Sequence, residues 1–314
     1  MTGMAVLMLH HVMRVLPELR YQPTLKHLTV RLGGDLVADT GHAMLVWEPK
    51  RVVPTYAVPQ RDVSASLTPT ASPGATAMAP VSLGDGPPVL DPRTGFGAHT
   101  TGGEALDVVT GSAQAANAAF RPDDPDLAGY LLLDFDAFDW WEEDQPIMSH
   151  PQDPFHRIDV RASSRLVRLE HHGVVLAESD RPQMLFEAAL PMARYYLPRH
   201  DVKVDLEPSA LVTVCAYKGR ATHYTAVAAG QELPDIAWSL RGSAAGRDRR
   251  QGVDLVLSGA AGRVPRREAG RAAAHTLVVG IEDRHAEMPP AGRSGRRHSS
   301  QHFLPSPAIS ARPT

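Results

Sequence analysis

The sequence predicts a mainly β protein built from two antiparallel β domains. Short apolar segments alternate with polar residues at a period of two, which is typical of half-buried strands. Turns that contain glycine separate several of these segments, as they do in β-hairpins. A long stretch from the N-terminal half also recurs later in the chain, and a repeat of this kind indicates a duplicated domain.

The repeat aligns residues 42–63 with residues 181–202 without a gap. Its matched positions combine aromatic, acidic and proline residues: Trp47-Glu48 with Phe186-Glu187, Tyr56 with Tyr195, Pro59 with Pro198, and Asp62-Val63 with Asp201-Val202. Glu48 and Glu187 each follow an apolar strand. Because the acid recurs in both copies, a structural role as a buried anchor, with Arg181 or Arg194 as its partner, is favoured over catalysis.

The predicted strands follow the repeat. In the first copy, LTVRL and DLVAD flank Gly33-Gly34, a pair that tolerates the positive φ angles of a tight hairpin. In the second copy, LVRLE and VVLAES flank His171-His172-Gly173, and the histidines are expected to face solvent. We predict strands of the second copy near 166–170, 173–178, 183–187, 193–197, 211–215 and 222–227.

The region between the copies is expected to be partly irregular. Residues 64–103 are rich in Ser, Thr, Ala, Pro and Gly, which predicts a long loop or linker. Residues 113–119 are rich in alanine and are the one segment that fits a short helix. The apolar segment 130–135 is expected to pack with residues 28–63, which are too few to bury a core alone.

These features predict four regions: an N-terminal extension (1–25), a first, degenerate repeat domain (26–145), a second repeat domain (151–240) and a tail (241–314). The tail holds 13 Arg, no Lys, six acids and one aromatic residue, Phe303. It is expected to be largely disordered, and a GC-rich gene translated out of frame explains this composition. A basic arm that binds nucleic acid is the alternative. The second copy lacks a counterpart of the apolar segment 130–135 of the first copy. Whether the weak strand GVDLVLSG (252–259) partly takes its place is an open question.

Composition limits the function classes. The net charge is −3, which gives no overall case for nucleic-acid binding. A single cysteine excludes a disulfide scaffold and a multi-cysteine zinc site. No apolar run is long enough for a membrane span, and the N-terminus lacks a convincing signal peptide, so a cytoplasmic location is expected.

The second copy resembles a known bacterial family. The residues that show the resemblance are FHRIDVRASSRLVRLEHHGVVLAESDRPQMLFEAALPMARYYLPRHDV, then CAYKGRATHY and DIAWS. They are similar to the family called domain of unknown function 427, which occurs as single or tandem copies and is sometimes labelled nucleotidyltransferase-like. The resemblance covers 158–239 closely and 28–63 more loosely. It implies an Mss4-like, tent-shaped antiparallel β fold in each copy.

Three departures from the family pattern affect the site. The first copy has no counterpart of Cys215-Ala216-Tyr217-Lys218-Gly219, so a site on that motif exists only once. Alanine replaces the usual proline of the motif. Many Mss4-like relatives hold zinc with paired cysteines, but one cysteine cannot do so; no metal and no cofactor are therefore predicted.

The candidate ligand-binding residues are all in the second copy. Lys218 at an exposed turn has two interpretations: it contacts an anionic small molecule, with Gly219 allowing close approach of the backbone, or it only protects the strand edge from aggregation. Flat ligands can stack on tyrosine or tryptophan, and adjacent residues of a strand face opposite sides, so one of the two neighbouring tyrosines should remain free to bind. The full set is Arg181, Glu187, Tyr195, Tyr196, Cys215, Tyr217, Lys218, Gly219 and Trp238.

Other candidates are weaker. Cys215 with His223 is a conceivable nucleophile pair, but an inert buried thiol is the commoner outcome. The acids Asp134, Asp136, Asp139, Glu142, Glu143 and Asp144 lack the spacing of a calcium loop and are expected to form a solvated face. Two hypotheses remain: a small-molecule or protein binding module, which is favoured, and an enzyme on a nucleotide-like anion with Glu187 as base and Lys218 as electrostatic clamp.

Overall fold

The computed structural model describes residues 5–71, 74–82, 86–188 and 194–240, and the backbone of 255–257 and 276–280. The chain divides into two compact units, Met1–Phe155 and His156–Thr314. Within the described part of the chain, none of the helices has the length and apolarity needed to cross a membrane.

The described residues of the first unit form one short α-helix, α1 (Met8–Met13), and thirteen strands. The strands are β1 (Arg20–Pro23), β2 (Leu28–Leu32), β3 (Asp35–Thr40), β4 (Met44–Trp47), β5 (Thr55–Pro59), β6 (Ser66–Pro69), β7 (Val81–Ser82), β8 (Pro88–Val89), β9 (Gly103–Val109), β10 (Gln114–Pro122), β11 (Tyr130–Leu133), β12 (Asp139–Glu142) and β13 (Gln145–Pro146). They form a seven-stranded sheet, β1-β4-β5-β11-β10-β9-β6, a four-stranded sheet, β13-β12-β2-β3, and the small pair β7-β8.

The described residues of the second unit form ten strands. They are β14 (Ile158–Ala162), β15 (Leu166–His171), β16 (Val174–Ser179), β17 (Gln183–Glu187), β18 (Arg194–Leu197), β19 (Leu206–Cys215), β20 (Gly219–Ala228), β21 (Gln231–Leu240), β22 (Leu255–Leu257) and β23 (Thr276–Gly280). Their sheets have the orders β14-β17-β18-β22-β21-β20-β19 and β16-β15-β23.

The large sheets of the two units correspond strand by strand. In each large sheet, the strand that comes last in the sequence occupies the fourth of the seven positions: β11 in the first unit and β22 in the second. The bridges Ala38–Val63 and Ala177–Val202 join equivalent positions. The small sheets differ, because β12 pairs with β2 antiparallel whereas β23 pairs with β15 in parallel.

Each unit buries an apolar core between its two sheets. In the first unit, Val30 of the small sheet joins Val58 and Leu131 of the large one in this core. In the second, Leu169 joins Leu197 and Ala237. Residues one position along these large-sheet strands point to the opposite side, as the pleat requires. We call that side the outer face; it carries Val46, Ala57, Phe120 and Leu132 in the first unit and Leu185, Tyr196, Ala221 and Trp238 in the second.

The structure confirms the mainly β fold. The six strands predicted in the second copy correspond to β15 to β20. The expected packing of 130–135 is confirmed too, because β11 pairs with β5 and β10. Leu131, Leu132 and Leu133 are fully buried.

Three expectations for the first unit are wrong. Residues 114–119 of the alanine-rich segment lie in β10, because this strand hydrogen-bonds to β9 and β11 and non-local pairing overrides the helical preference of alanine. The expected linker 64–103 contains β6, β7 and β8, and it buries Val89 and Leu90. The expected extension 1–25 contributes β1, which pairs with β4.

The tail lies mostly outside the described residues, so its expected disorder stays a prediction. The open question of residues 252–259 has a partial answer. Leu255–Leu257 forms β22, which pairs with β18 and β21 at the place that β11 takes in the first unit.

Candidate functional site

The centre of the candidate site is Glu187, at the end of β17 on the outer face of the second unit. Lys218 Nζ donates to Glu187 Oε1 at 2.7 Å and to Oε2 at 2.8 Å. His156 Nε2 lies 3.0 Å from Oε1. The side chains of Glu187 and Lys218 are 8% and 3% exposed, so this is a buried, bidentate ion pair.

The expected exposure of Lys218 is wrong. The turn before β20 does place it beside Gly219, whose φ of 89° lies in the left-handed region that glycine tolerates. The lysine side chain, however, turns inward to Glu187 instead of projecting into solvent. Its principal partner is therefore a carboxylate of its own chain.

Two opposing effects set the charge of Glu187. Burial favours the neutral acid, but the hydrogen bond from His156 and the charges of Lys218 and Arg194 outweigh it and lower the pKa of Glu187 to about 2. Glu187 is therefore ionised at neutral pH. A carboxylate with so low a pKa is a weak proton acceptor and a poor general base.

Arg194 adds a second cation next to this ion pair. Arg194 is the first residue of β18. It lies on the outer face, as does Tyr196 two residues later. Its Nε atom is buried and has no hydrogen-bond partner among the described residues. The ring of Tyr217 lies 4.5 Å from that of His156 and packs at its side. We refer to Glu187, Lys218, His156, Arg194 and Tyr217 as the Glu187 cluster.

The predicted aromatic stacking site is not open. Tyr195 points toward the core between the sheets and Tyr196 points to the outer face, as the alternation predicts. Burial also raises the pKa of Tyr195. Tyr196 packs edge-to-face on Trp238 with ring centroids 5.5 Å apart, and Trp238 is only 2% exposed. Tyr196 and Trp238 therefore offer no ring face to a ligand in this conformation.

Within the described part of the chain, neither Arg181 nor Cys215 bonds to Glu187; Arg181 binds a different carboxylate, and Cys215 pairs through its strand with Gly219, next to Lys218. The guanidinium of Arg181 binds Asp201 at 3.2 Å, in the 3-10 turn Arg199–Asp201 that follows β18. Cys215 is a buried free thiol. His223 Nε2 contacts Thr213 at 2.9 Å, and burial lowers the pKa of His223.

Sequence reasoning missed His156 as a site residue and gave Arg194 only as a possible partner of Glu187. His156 lies just before β14, whose first residue, Ile158, pairs with Glu187. The signal for His156 is therefore the strand pairing, which residue spacing does not reveal.

The equivalent acid of the first unit, Glu48, is also buried but has other partners. His99 Nδ1 lies 3.0 Å from Oε1, and the backbone N–H of Thr100 donates to Oε2 at 2.7 Å. Arg51 Nε lies 3.8 Å from Oε1. Two of these three partners come from residues 91–100, inside the expected linker.

The acidic segment after β11 is only partly a solvated face. Glu142 accepts a hydrogen bond from Tyr56 and forms an ion pair with Lys26. Burial raises the pKa of Asp134 to about 6. Among the residues that the structure describes, no group of three or more His, Cys, Asp or Glu side chains is arranged to hold a metal ion.

A cavity of about 360 Å³ opens on the first unit, far in sequence from every predicted site residue. The carboxylate of Asp35 at its rim accepts hydrogen bonds from Ser112, which lower the pKa of Asp35. It is lined by Asp35, Leu36, Ser64, Ala65, Ser66, Val109, Thr110 and Gly111.

Comparison with known families supports the resemblance seen in the sequence. The model of the family described as domain of unknown function (DUF427) matches residues 20–77 and residues 159–248. One matched segment lies in each unit, and each includes the buried glutamate of its unit, Glu48 or Glu187. The chain thus resembles this family twice. No curated protein matches the chain.

Proposed function

We propose that the second unit is a binding module for a small anionic molecule, which contacts the Glu187 cluster. The chain as a whole is then a tandem pair of related β-tent domains of the Mss4-like type in a bacterial cytoplasm, of which the second binds the ligand. The equivalent strand orders of the two large sheets support the tandem interpretation.

One observation carries the proposal. Glu187 is already neutralised by Lys218, yet Arg194 lies close enough to lower the pKa of the same carboxylate. Two basic side chains, Lys218 and Arg194, therefore share one carboxylate. The buried Arg194 Nε has no acceptor among the described residues, and a buried donor without a partner costs free energy. An anionic group at this place satisfies the donor and balances the charge.

Two neighbours add chemistry to the same place. His156 is about one-fifth exposed and is the accessible member of the ion-pair network. The aromatic ring of Tyr217 packs against it. A carboxylate or phosphate is the ligand chemistry that arginine and histidine recognise best.

The enzyme alternative has less support. In that hypothesis Glu187 is the base and Lys218 the clamp, but the two groups form an ion pair with each other. The low pKa of Glu187 also makes proton abstraction at neutral pH inefficient.

The test is a thermal-shift titration of the full chain with inorganic phosphate, pyrophosphate, citrate and nucleoside monophosphates. A ligand that binds only the native state raises the melting temperature, and a saturable rise is expected for at least one of these probes. Each variant is compared with its own ligand-free melting temperature, and the concentration dependence of the shift gives the affinity, which separates weaker binding from lower intrinsic stability.

Arg194→Gln is expected to weaken the responding probe by roughly tenfold or more. Arg220→Gln is the matched control, because Arg220 is an exposed arginine two residues from Lys218 and the variant loses the same charge. No response to any probe, or equal responses in the two variants, would contradict the proposed site.

A further inference from the structure

The cavity of the first unit lies where three segments of the chain meet. Its lining comes from the start of β3, from residues 64–66 at the start of β6, and from residues 109–111, where β9 ends. A volume of about 360 Å³ is within the range of small-molecule pockets. The Glu187 cluster belongs to the other unit, so this cavity is a separate candidate site.

The carboxylate of Asp35 is held in a fixed position at the rim of the cavity. Its Oδ2 atom accepts hydrogen bonds from the backbone N–H of Ser112 at 2.9 Å and from the Ser112 hydroxyl at 2.7 Å. These bonds lower the pKa of Asp35, so the group is ionised at neutral pH. No lysine, arginine or histidine of the described residues forms an ion pair with it. The cavity therefore carries an unbalanced negative charge.

Hydroxyl groups and an apolar wall complete the lining. The hydroxyls of Ser64 and Ser66 make no hydrogen bond to the described residues and remain available as acceptors. Leu36 lies beside Asp35 and is 37% exposed. This combination suits a ligand with several N–H donors on a short carbon chain, because the donors match the oxygens and the chain matches the leucine.

The second unit shows that the shared fold does not require the charge of Asp35. In each small sheet the first residue after the hairpin turn pairs with the last residue before it, and this residue is Asp35 in the first unit and Val174 in the second. Val174 packs against the core of its unit. An apolar side chain thus serves at the equivalent position.

The turn that binds Asp35 is also particular to the first unit. Val109 pairs with Gln114 across a turn of residues 110–113, whereas the equivalent pair in the second unit encloses only residues 229–230. The longer turn supplies Thr110, which lines the cavity, and Ser112, which binds Asp35. The acid and the residues that orient it therefore occur together, beside the cavity.

We propose that this cavity binds a small organic cation with a primary ammonium group, of the aliphatic diamine class. The ammonium donates to the Asp35 carboxylate and to the hydroxyl oxygens of Ser64 and Ser66, while the carbon chain lies along Leu36. A cation without N–H donors leaves these acceptors unused and binds more weakly. The site is independent of the anion site of the second unit, so either can fail without the other.

Isothermal titration calorimetry of the full chain with putrescine, at constant ionic strength, tests the site. The wild type is expected to bind saturably. Asp35→Asn keeps a carbonyl oxygen for Ser112 but loses the charge, so its affinity should fall by roughly tenfold or more. Asp39→Asn is the matched control, because Asp39 is an exposed acid of the same strand that contacts His27 and lies outside the lining; its affinity should equal that of the wild type.

Two further measurements separate specific binding from general attraction to an acidic chain. The double variant Ser64→Ala, Ser66→Ala removes two acceptors that the described fold does not use, and it should weaken putrescine by about threefold or more. Tetramethylammonium carries the charge without N–H donors and should bind less tightly than putrescine. The proposal is overturned if putrescine does not bind saturably, if either variant binds it like the wild type, or if tetramethylammonium binds equally well.

Discussion

Glu48 and Glu187 occupy the same position in the two units, yet they are neutralised in different ways. Glu48 directly follows β4 and Glu187 ends β17, in each case the strand next to the sheet edge. Both side chains face outward and are almost fully buried. In the first unit an imidazole and a backbone N–H bind the acid, and in the second a lysine and an imidazole do. The fold therefore fixes the carboxylate, while its partners come from segments that the two units do not share.

The outer faces around these acids differ in the same way. Phe120 and Trp238 occupy equivalent positions, since each pairs with the central strand of its sheet, at Leu132 and Val256. On the other side of that strand, the paired residue is Ala57 in the first unit and Tyr196 in the second. In the first unit this residue is the small Ala57, and the ring of His99 stacks on Phe120. In the second unit it is Tyr196, which packs on Trp238 from within the same sheet.

The largest expected effect tests the lysine of the second unit. Lys218→Met leaves Glu187 buried without its ion-pair partner, which costs about 3–5 kcal/mol of unfolding free energy. This reverses the expectation, from the sequence, of an exposed lysine that is dispensable for stability. Urea denaturation measures the loss.

The double variant Lys218→Met, Glu187→Leu is the control. It removes both charges together, so it should recover most of the stability that the single variant loses. A single variant within about 0.5 kcal/mol of the wild type would show that Lys218 contributes little to the fold.

The next effect is the acid dependence of the second unit. Because the pKa of Glu187 is lowered from 4.5 to about 2, its ionisation contributes stability above about pH 4.5, and this contribution is lost as the pH falls through 2. The wild type should lose about 2–3 kcal/mol between those limits from this group. The double variant should show a correspondingly flatter profile over the same range, and an identical profile would contradict the assignment.

A smaller effect is expected at the equivalent acid of the first unit. Glu48→Gln keeps one carbonyl oxygen as an acceptor but loses the charge that binds His99 and Thr100, so we expect a loss of about 1–2 kcal/mol. Glu104→Gln is the comparison, because Glu104 is exposed and its pair with Arg121 contributes little. Equal losses of unfolding free energy in the two variants would show that the contacts of Glu48 contribute no more than an exposed surface pair.

The smallest effect concerns Arg181. Its pair with Asp201 is largely exposed on the arginine side, so Arg181→Gln should cost no more than about 1 kcal/mol. It should also leave the anion-induced thermal shift unchanged, since Arg181 contacts Asp201 and not Glu187. A lost shift in this variant would extend the binding site toward the 3-10 turn.

The sequence predicts what depends on local pattern. Alternation and turn residues locate β15 to β20, because strand burial repeats every second residue and glycines mark the turns. The same reasoning fails for β10, whose alanines resemble a helix until the neighbouring strands are known. Propensity is a weak guide where non-local pairing decides.

The sequence identifies several residues of the site but not how they contact each other. The family motif singled out Lys218, and the repeat singled out Glu187. That they bind each other depends on the order of strands in the sheet, which places residues 31 positions apart in contact. The burial of Trp238 and Tyr196 against each other has the same origin.

The central position of β11 and β22 has a consequence for how the protein folds as it is synthesised. In each large sheet the strand that joins the two halves is the last one to leave the ribosome. Until then β5 and β10, or β18 and β21, present unpaired edges to the cell, and such edges invite aggregation. Closing the sheet also requires contacts between distant parts of the chain, which slows folding. Each unit should therefore depend most on chaperones just before its central strand emerges.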